Sequence, residues 1–362
     1  MPFVPPKYDL KSNDFFKTLK RRIDEYFKEN DIQKTGNGKM YFKTCFMITC
    51  YLTPYFLILF GDIQNSWLYS SLWLLMGIFM SGIGLSIMHD AIHGAYSKNK
   101  TVNLILGEVI NLVGGASINW KIQHNVLHHT YTNIEEFDED INAPFFLRFS
   151  PNKKRMGIHR FQYIYAWFFY GLLTFNWAFF ADFDSLIRYR KKGLIKTISK
   201  RSFAFHFLKT TLLRLAYFTY ILILPMWLTE VSFLVILFNF LLMHFVAGFI
   251  LSCIFQPAHV MEISKFSNAK SGEQVPRDWA SHQLMNTVNF ATKNKLLTWF
   301  AGGLNHQVEH HLFPSICHVH YTKLSHIVRE TAREFNLPYH NLPTFRSAIW
   351  THMKMLKHLG KA

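Results

Sequence analysis

At 362 residues, with 17% charged and 17% aromatic side chains, the chain is long for one soluble domain and too apolar to be mostly loops. The composition excludes a disordered or loop-dominated protein and points to one membrane-embedded, all-α unit. The formal net charge of +16 favours anionic lipid headgroups or an acidic protein partner without naming either, and no nucleic-acid partner is expected.

Residues 1–43 carry ten Lys and Arg and no apolar core of signal-peptide type, so they read as an uncleaved cytosolic segment. A membrane unit is expected over 44–330, and a cytosolic tail over 331–362. Stretches of roughly 20 apolar residues cross a bilayer core, and four qualify, at about 44–60, 67–88, 206–228 and 232–255. The links at 61–66 and 229–231 hold no Lys or Arg and are expected to face outward, with the basic segments cytosolic.

Two further apolar stretches read as interfacial or re-entrant. Residues 102–118 contain Asn103, Glu108, Asn111 and the pair Gly114-Gly115, which suits a piece buried by protein better than a lipid-facing span. In 161–181, eleven of 21 residues are Phe, Tyr or Trp, the composition of an interfacial belt. Cys45, Cys50, Cys253 and Cys317 show no paired short spacing, so no disulfide framework is expected. Arg148, Lys153 to Arg155 and Arg188 are candidates for a substrate headgroup.

The chemistry resides in three histidine clusters: His89-Asp-Ala-Ile-His93, His124-Asn-Val-Leu-His128-His129, and Gln307-Val-Glu-His310-His311. Residues four apart occupy one helix face, where two imidazoles reach one ion. Neutral imidazole suits iron, copper, zinc or nickel, so spacing alone leaves the metal open. The second predicted span delivers His89, and the fourth delivers Gln256 and His259, to the same membrane level. His89, His93, His124, His128, His129, His259, His310 and His311 are too many for one ion and fit two. Asp90, Asp138, Asp140, Glu262 and Glu309 are candidates to hold the outer ring nitrogens. His282 and His306 divide between supporting and incidental roles. The remaining histidines, His159, His206, His244, His318, His320, His326, His340, His352 and His358, read as satisfied or solvated side chains.

The segments HDAIH, HNVLHHTYTN with the following DEDI, and GGLNHQVEHHLFP together resemble the integral-membrane fatty acid desaturases, especially the front-end, linoleoyl-CoA-desaturase-like branch. The resemblance runs from about residue 40 to 320. It implies a di-iron enzyme that uses dioxygen and two electrons to remove two hydrogens from an acyl chain and leave a cis double bond. By position it implies iron ligands at His89, His93, His124, His128, His129, His310 and His311, with Gln307 where many relatives have the first His of the box. His259 resembles the extra ligand after the last span, and Gln256 stands near the place of a water-bridged Asn in the stearoyl-CoA branch.

The sequence contains no His-Pro-Gly-Gly heme motif, so the electron donor is expected to be a separate ferredoxin or cytochrome b5. The substrate carrier is coenzyme A, acyl carrier protein or a membrane lipid. A bacterial cytoplasmic membrane, with the active site on its cytosolic side, is the expected location. The same scaffold could hydroxylate the chain, and a histidine-lined bundle could transport metal; the latter predicts ligands near mid-span, whereas the clusters stand at span ends.

Overall fold

Four helices are long and apolar enough to cross a membrane, and they organise everything else. The computed structural model describes residues 4–9 and 14–361. The four are α2 (Gly38–Phe60), α3 (Ser66–Ile92), α8 (Phe203–Leu228) and α9 (Phe233–His259). Asn37, Asn65 and Ser202 cap the first three by accepting a backbone N–H of the first turn, which supplies partners for donors that a helix start leaves unpaired.

The last span is central. A Cβ on Gly77 of α3 would stand 2.5 Å from the Met243 carbonyl oxygen of α9. A Cβ on Gly248 of α9 would stand 2.7 Å from the carbonyl oxygen of Gly171, which ends α6 (Gly157–Gly171). Small residues let these backbones touch, the usual basis of helix association in a bilayer.

The two interfacial candidates are bent pairs. α4 (Lys100–Val113) and α5 (Ser117–Tyr131) meet at 111°, and α6 meets α7 (Leu173–Lys191) at 56°. The sharper bend needs glycine: Gly114 has φ +81°, and a Cβ on Gly115 would stand 2.7 Å from the Ile110 side chain. A buried ion pair ties the bends together. Arg214 of α8 meets Asp182 of α7 at 2.6 Å, Asn119 of α5 donates to the same carboxylate, and Arg214 also donates to the Gly114 carbonyl.

The terminal segments pack on the bundle. α1 (Asp14–Glu29) buries Phe15, Leu19, Ile23 and Phe27, one residue per turn, against Leu324, Val328 and Ala332 of α12 (Tyr321–Glu334). α10 (Trp279–Asn286), α11 (Gln307–Leu312) and α13 (Phe345–Lys361) complete that end. The only strands among the described residues are two parallel pairs of two-residue segments, Lys7–Tyr8 with Gln274–Val275 and Asn289–Phe290 with Asn341–Leu342. All four cysteines are free.

Candidate metal centre

The C-terminal ends of α3 and α9 arrive at one end of the bundle, and the three histidine clusters converge there. His89, His93, His124 and His310 form one group whose ligand atoms all lie within 4.8 Å of one another, and His128, His259 and His311 form a second. His129 stands between them: its Nε2 is 2.9 Å from that of His310 and 3.1 Å from that of His124, and its ring stacks on His311 at 4.3 Å.

Local helix geometry deals the rings to the two groups. Lys121–His128 is a π-helical stretch, whose wider turn brings residues five apart alongside one another. His124 therefore meets His129, while His128 turns to His259 and His311, with ring centroids 4.5 and 4.9 Å away. His124 and His128, four apart, also stack on one face, with ring centroids 5.3 Å apart. In α11, His310 and His311 are consecutive and diverge about 100° around the helix, so each serves a different group.

The second group is prepared to bind a cation. His128 Nδ1 lies 3.0 Å from an Asp138 oxygen, His259 Nδ1 3.2 Å from the Asn286 carbonyl oxygen, and His311 Nδ1 2.8 Å from Gln283 Oε1. An acceptor at Nδ1 fixes the proton there and leaves the Nε2 lone pair of His259 and His311 free. Against the burial that lowers it, the Asp138 and Asp140 carboxylates push His128 up to about 9, so its Nε2 gives up a proton as an ion binds. All three Nε2 atoms are buried and without a protein partner. Such orphans cost about 1–3 kcal/mol each, and one ion would satisfy them together.

In the first group, His89 Nε2 and His124 Nε2 are 3.2 Å apart. Two nitrogens each about 2.1 Å from a common metal are separated by about 3.0 to 3.4 Å at right-angle to tetrahedral geometry, which the spacing matches. Burial, and then the neighbouring imidazoles, hold His310 and His311 well below the ordinary histidine range. They are neutral at pH 7, the form that ligates. The residues present therefore fit two ions bound by imidazole.

Comparison with known proteins agrees with this geometry. The fatty acid desaturase family profile matches residues 65–343. The chain is 34% identical over 351 residues to an sn-1 linoleoyl-lipid 6-desaturase of Synechocystis sp., covering 96% of each. The chain belongs to the fatty acid desaturase family. This desaturase is also 34% identical to an acyl-lipid (8-3)-desaturase of Physcomitrium patens, over 97% of this chain and 73% of that one. It is 33% identical to a Delta(5) fatty acid desaturase A of Dictyostelium discoideum, over 98% and 76%. These relatives are desaturases of front-end type, and this enzyme is, like them, an oxidoreductase.

The surrounding residues divide. Asp138 and Asp140 reach His128, at 3.0 and 3.3 Å, and burial pushes the Asp140 carboxyl up to about 6. Asp90 lies 3.8 Å from His89 Nδ1. Glu309 does not hold a cluster histidine: it accepts from Asn289 and Tyr339 at 2.8 Å each and lies 3.7 Å from His306. Glu262 is exposed. Gln307 is buried beside His259 with both amide atoms unpartnered. Gln256 is half-buried, and no hydrogen bond links it to the site among the described residues. His282 Nε2 donates to the Thr132 carbonyl oxygen, 2.7 Å away. His306 is buried with both ring nitrogens unpartnered.

Four participants escaped the sequence reading. Gln283 and the Asn286 carbonyl sit on α10, outside every cluster. Tyr321 places its hydroxyl 3.3 Å from His310 Nδ1. Trp120 packs its ring 4.2 Å from that of His124 and 5.3 Å from that of His89. Only Trp120 had a positional cue, one helix turn before His124.

Proposed function

We propose that this desaturase is a di-iron, dioxygen-dependent enzyme of front-end type that places a cis double bond in a lipid-bound acyl chain. The balance is one CH2–CH2 unit, one dioxygen, two electrons and two protons in, with one CH=CH unit and two waters out. The carrying observation is the second histidine group, with every Nδ1 bonded to an acceptor and every Nε2 without a protein partner. His89, His93, His124 and His310 would hold one iron, and His128, His259 and His311 the other, with His129 between. When bound, the irons supply the dioxygen activation that an unactivated methylene requires, since it offers no acidic proton and no polar handle.

The protein's share is to bind, orient and exclude water. A small apolar cavity of ≈ 20 Å³, lined by Met80, Gly84, Met88, Trp120, Leu251 and Phe255, lies beside the first group; it holds about one water, so an acyl tail would enter there only as the helices part. Across the Gly114-Gly115 bend, a larger mixed cavity of ≈ 570 Å³ reaches His93 and Asn125 and is bordered by Lys100, Lys121 and Lys209. It suits the carrier end of the substrate. Arg148 is engaged with the carbonyls of Lys153 and Leu359, and Arg188 with Glu139, which turns the headgroup assignment from those residues to this cavity. The names of the relatives favour an acyl-lipid carrier. Cytosolic placement of the site, interfacial seating of the bent pairs, and a ferredoxin or cytochrome b5 as donor belong to the same reading, supported by the basic segments on the histidine side.

The test is a fatty acid profile, with double bonds located by derivatisation, of a host expressing the protein and a donor, against the same host expressing His310→Ala. A new unsaturated acid present only with the unmodified protein is expected. A hydroxy acid in its place would assign the hydroxylase outcome, and unchanged profiles with both donors supplied would overturn the proposal.

A further inference from the structure

We propose that Lys43 and His318 act with Asp90 as a buried positioning relay for His89. The relay spans three segments distant in sequence. Lys43 lies in the second turn of α2 and is only 2% exposed. Its Nζ is 2.7 Å from His318 Nε2, and His318 Nδ1 is 2.8 Å from Asp90 Oδ2, which also accepts the His318 backbone N–H at 3.2 Å. The other Asp90 oxygen lies 3.8 Å from His89 Nδ1.

The donor inventory orders these contacts. A lysine ammonium only donates, so His318 Nε2 accepts and its proton sits on Nδ1, where it donates to Asp90. One ammonium and one carboxylate are then bridged by a neutral imidazole, and the buried network carries no net charge. That is the condition under which buried charges are tolerated.

Asp90, Cys317 and His318 also bring ligand atoms within 4.8 Å of one another. They do not make a third cation site, because the Lys43 ammonium already supplies the positive charge. At 3.8 Å the carboxylate is too far for a hydrogen bond to His89. It acts on His89 by charge, favouring the proton on Nδ1, which has no other partner. Nε2 is thereby left for the ion. Lys43 and His318 are positioning residues: they hold the carboxylate in place and limit how much negative charge His89 feels.

The inference rests on the reading of His89 as a ligand, and the experiment separates the two. Purified protein is titrated anaerobically with ferrous iron, with iron per chain measured by mass spectrometry, site populations by Mössbauer spectroscopy, and midpoint potential by redox titration. The variants are Lys43→Met, His318→Phe and His318→Gln; the Gln amide can still accept from Lys43 and donate to Asp90. Lys43→Met and His318→Phe are expected to bind one of two irons about 10- to 100-fold more weakly, with the other site unchanged, while His318→Gln stays within about threefold of wild type.

Lys43→Met should also lower the midpoint potential, because a positive charge near the ion is lost. Two irons bound with wild-type affinity and potential in all three variants would overturn the relay. So would His318→Gln as impaired as His318→Phe. If His318→Phe does not insert, Lys43→Met and His318→Gln decide. Absence of iron binding by the wild-type protein would overturn the ligand reading itself.

Discussion

A single methyl group at residue 84 separates the packing role of α3 from its role as a cavity wall. Gly84 lines the apolar cavity beside the first histidine group, and a Cβ there would meet nothing nearer than Leu251 Cδ2, at 3.7 Å. Gly84→Ala therefore fits without strain, and replacing a helical glycine gains about 0.5–1 kcal/mol. Gly77, about two turns earlier, is the matched control. Its Cβ would stand 2.5 Å from the Met243 carbonyl oxygen, about 1 Å inside the 3.4 Å at which ordinary contact begins, so α3 and α9 must separate at a cost of about 1–3 kcal/mol. An acyl chain entering by way of this ≈ 20 Å³ cavity would be displaced about 1 Å by the new methyl, a shift that costs on the order of a hundredfold in rate. Thermal unfolding in detergent and turnover with a reconstituted donor test both halves. Gly84→Ala is expected to keep or raise the melting temperature and to lose activity or shift the double bond; Gly77→Ala is expected to lose stability first. An active Gly84→Ala with unchanged product would remove this cavity from the acyl path, and equal destabilisation by both substitutions would refute the packing argument.

His310→Ala and His311→Ala should each abolish desaturation while the protein inserts normally, and iron analysis should show loss at different sites, because the two rings face different groups; wild-type activity in either sinks the assignment. Gln283→Ala removes the acceptor at His311 Nδ1 and should weaken iron binding about 10- to 100-fold, measured by anaerobic titration, whereas an unchanged affinity would make that bond incidental. Burial holds His352 at about 4, below its ordinary 6.5, although the Val260 carbonyl favours its charged form. The unfolded chain therefore binds the extra proton between those values, so its contribution to stability falls by up to about 3 kcal/mol as pH drops from 6.5 to 4. Melting curves of His352→Gln should show a shallower acid slope than wild type, and parallel slopes would refute the attribution.

The four spans were legible because bilayer thickness imposes a length that hydropathy reads directly. Their ends were not, since helices run past the apolar stretch until a cap stops them: α2 starts at Gly38, capped by Asn37, and includes Lys43, which hydropathy leaves outside the membrane unit. The convergence of the clustered histidines was legible from their spacing, and that of His259 from its place at a helix end. The groups that orient the ligands were not, because a backbone carbonyl at Asn286 or a glutamine at 283 has no sequence signature until the fold brings it to a ring nitrogen. His318 shows the same limit. It is satisfied, as a lone buried histidine is expected to be, but its partners Lys43 and Asp90 tie it to the centre.

Which rings meet one another turns on helix type, which residue spacing cannot specify. A regular α-helix through the second cluster would leave His129 well to the side of His124. The π-helical turn over Lys121–His128 sends His128 to His259 and His311, and sets His129 against His124 and His310 at 3.1 and 2.9 Å. A second π-helical stretch, Ile83–Met88, ends where His89 begins. Such turns carry poorer hydrogen bonding than an α-helix and concentrate at functional sites. Here the consecutive pair His128 and His129 parts toward different neighbours, as His310 and His311 do in α11, and the wider turn adds the contact of His124 with His129.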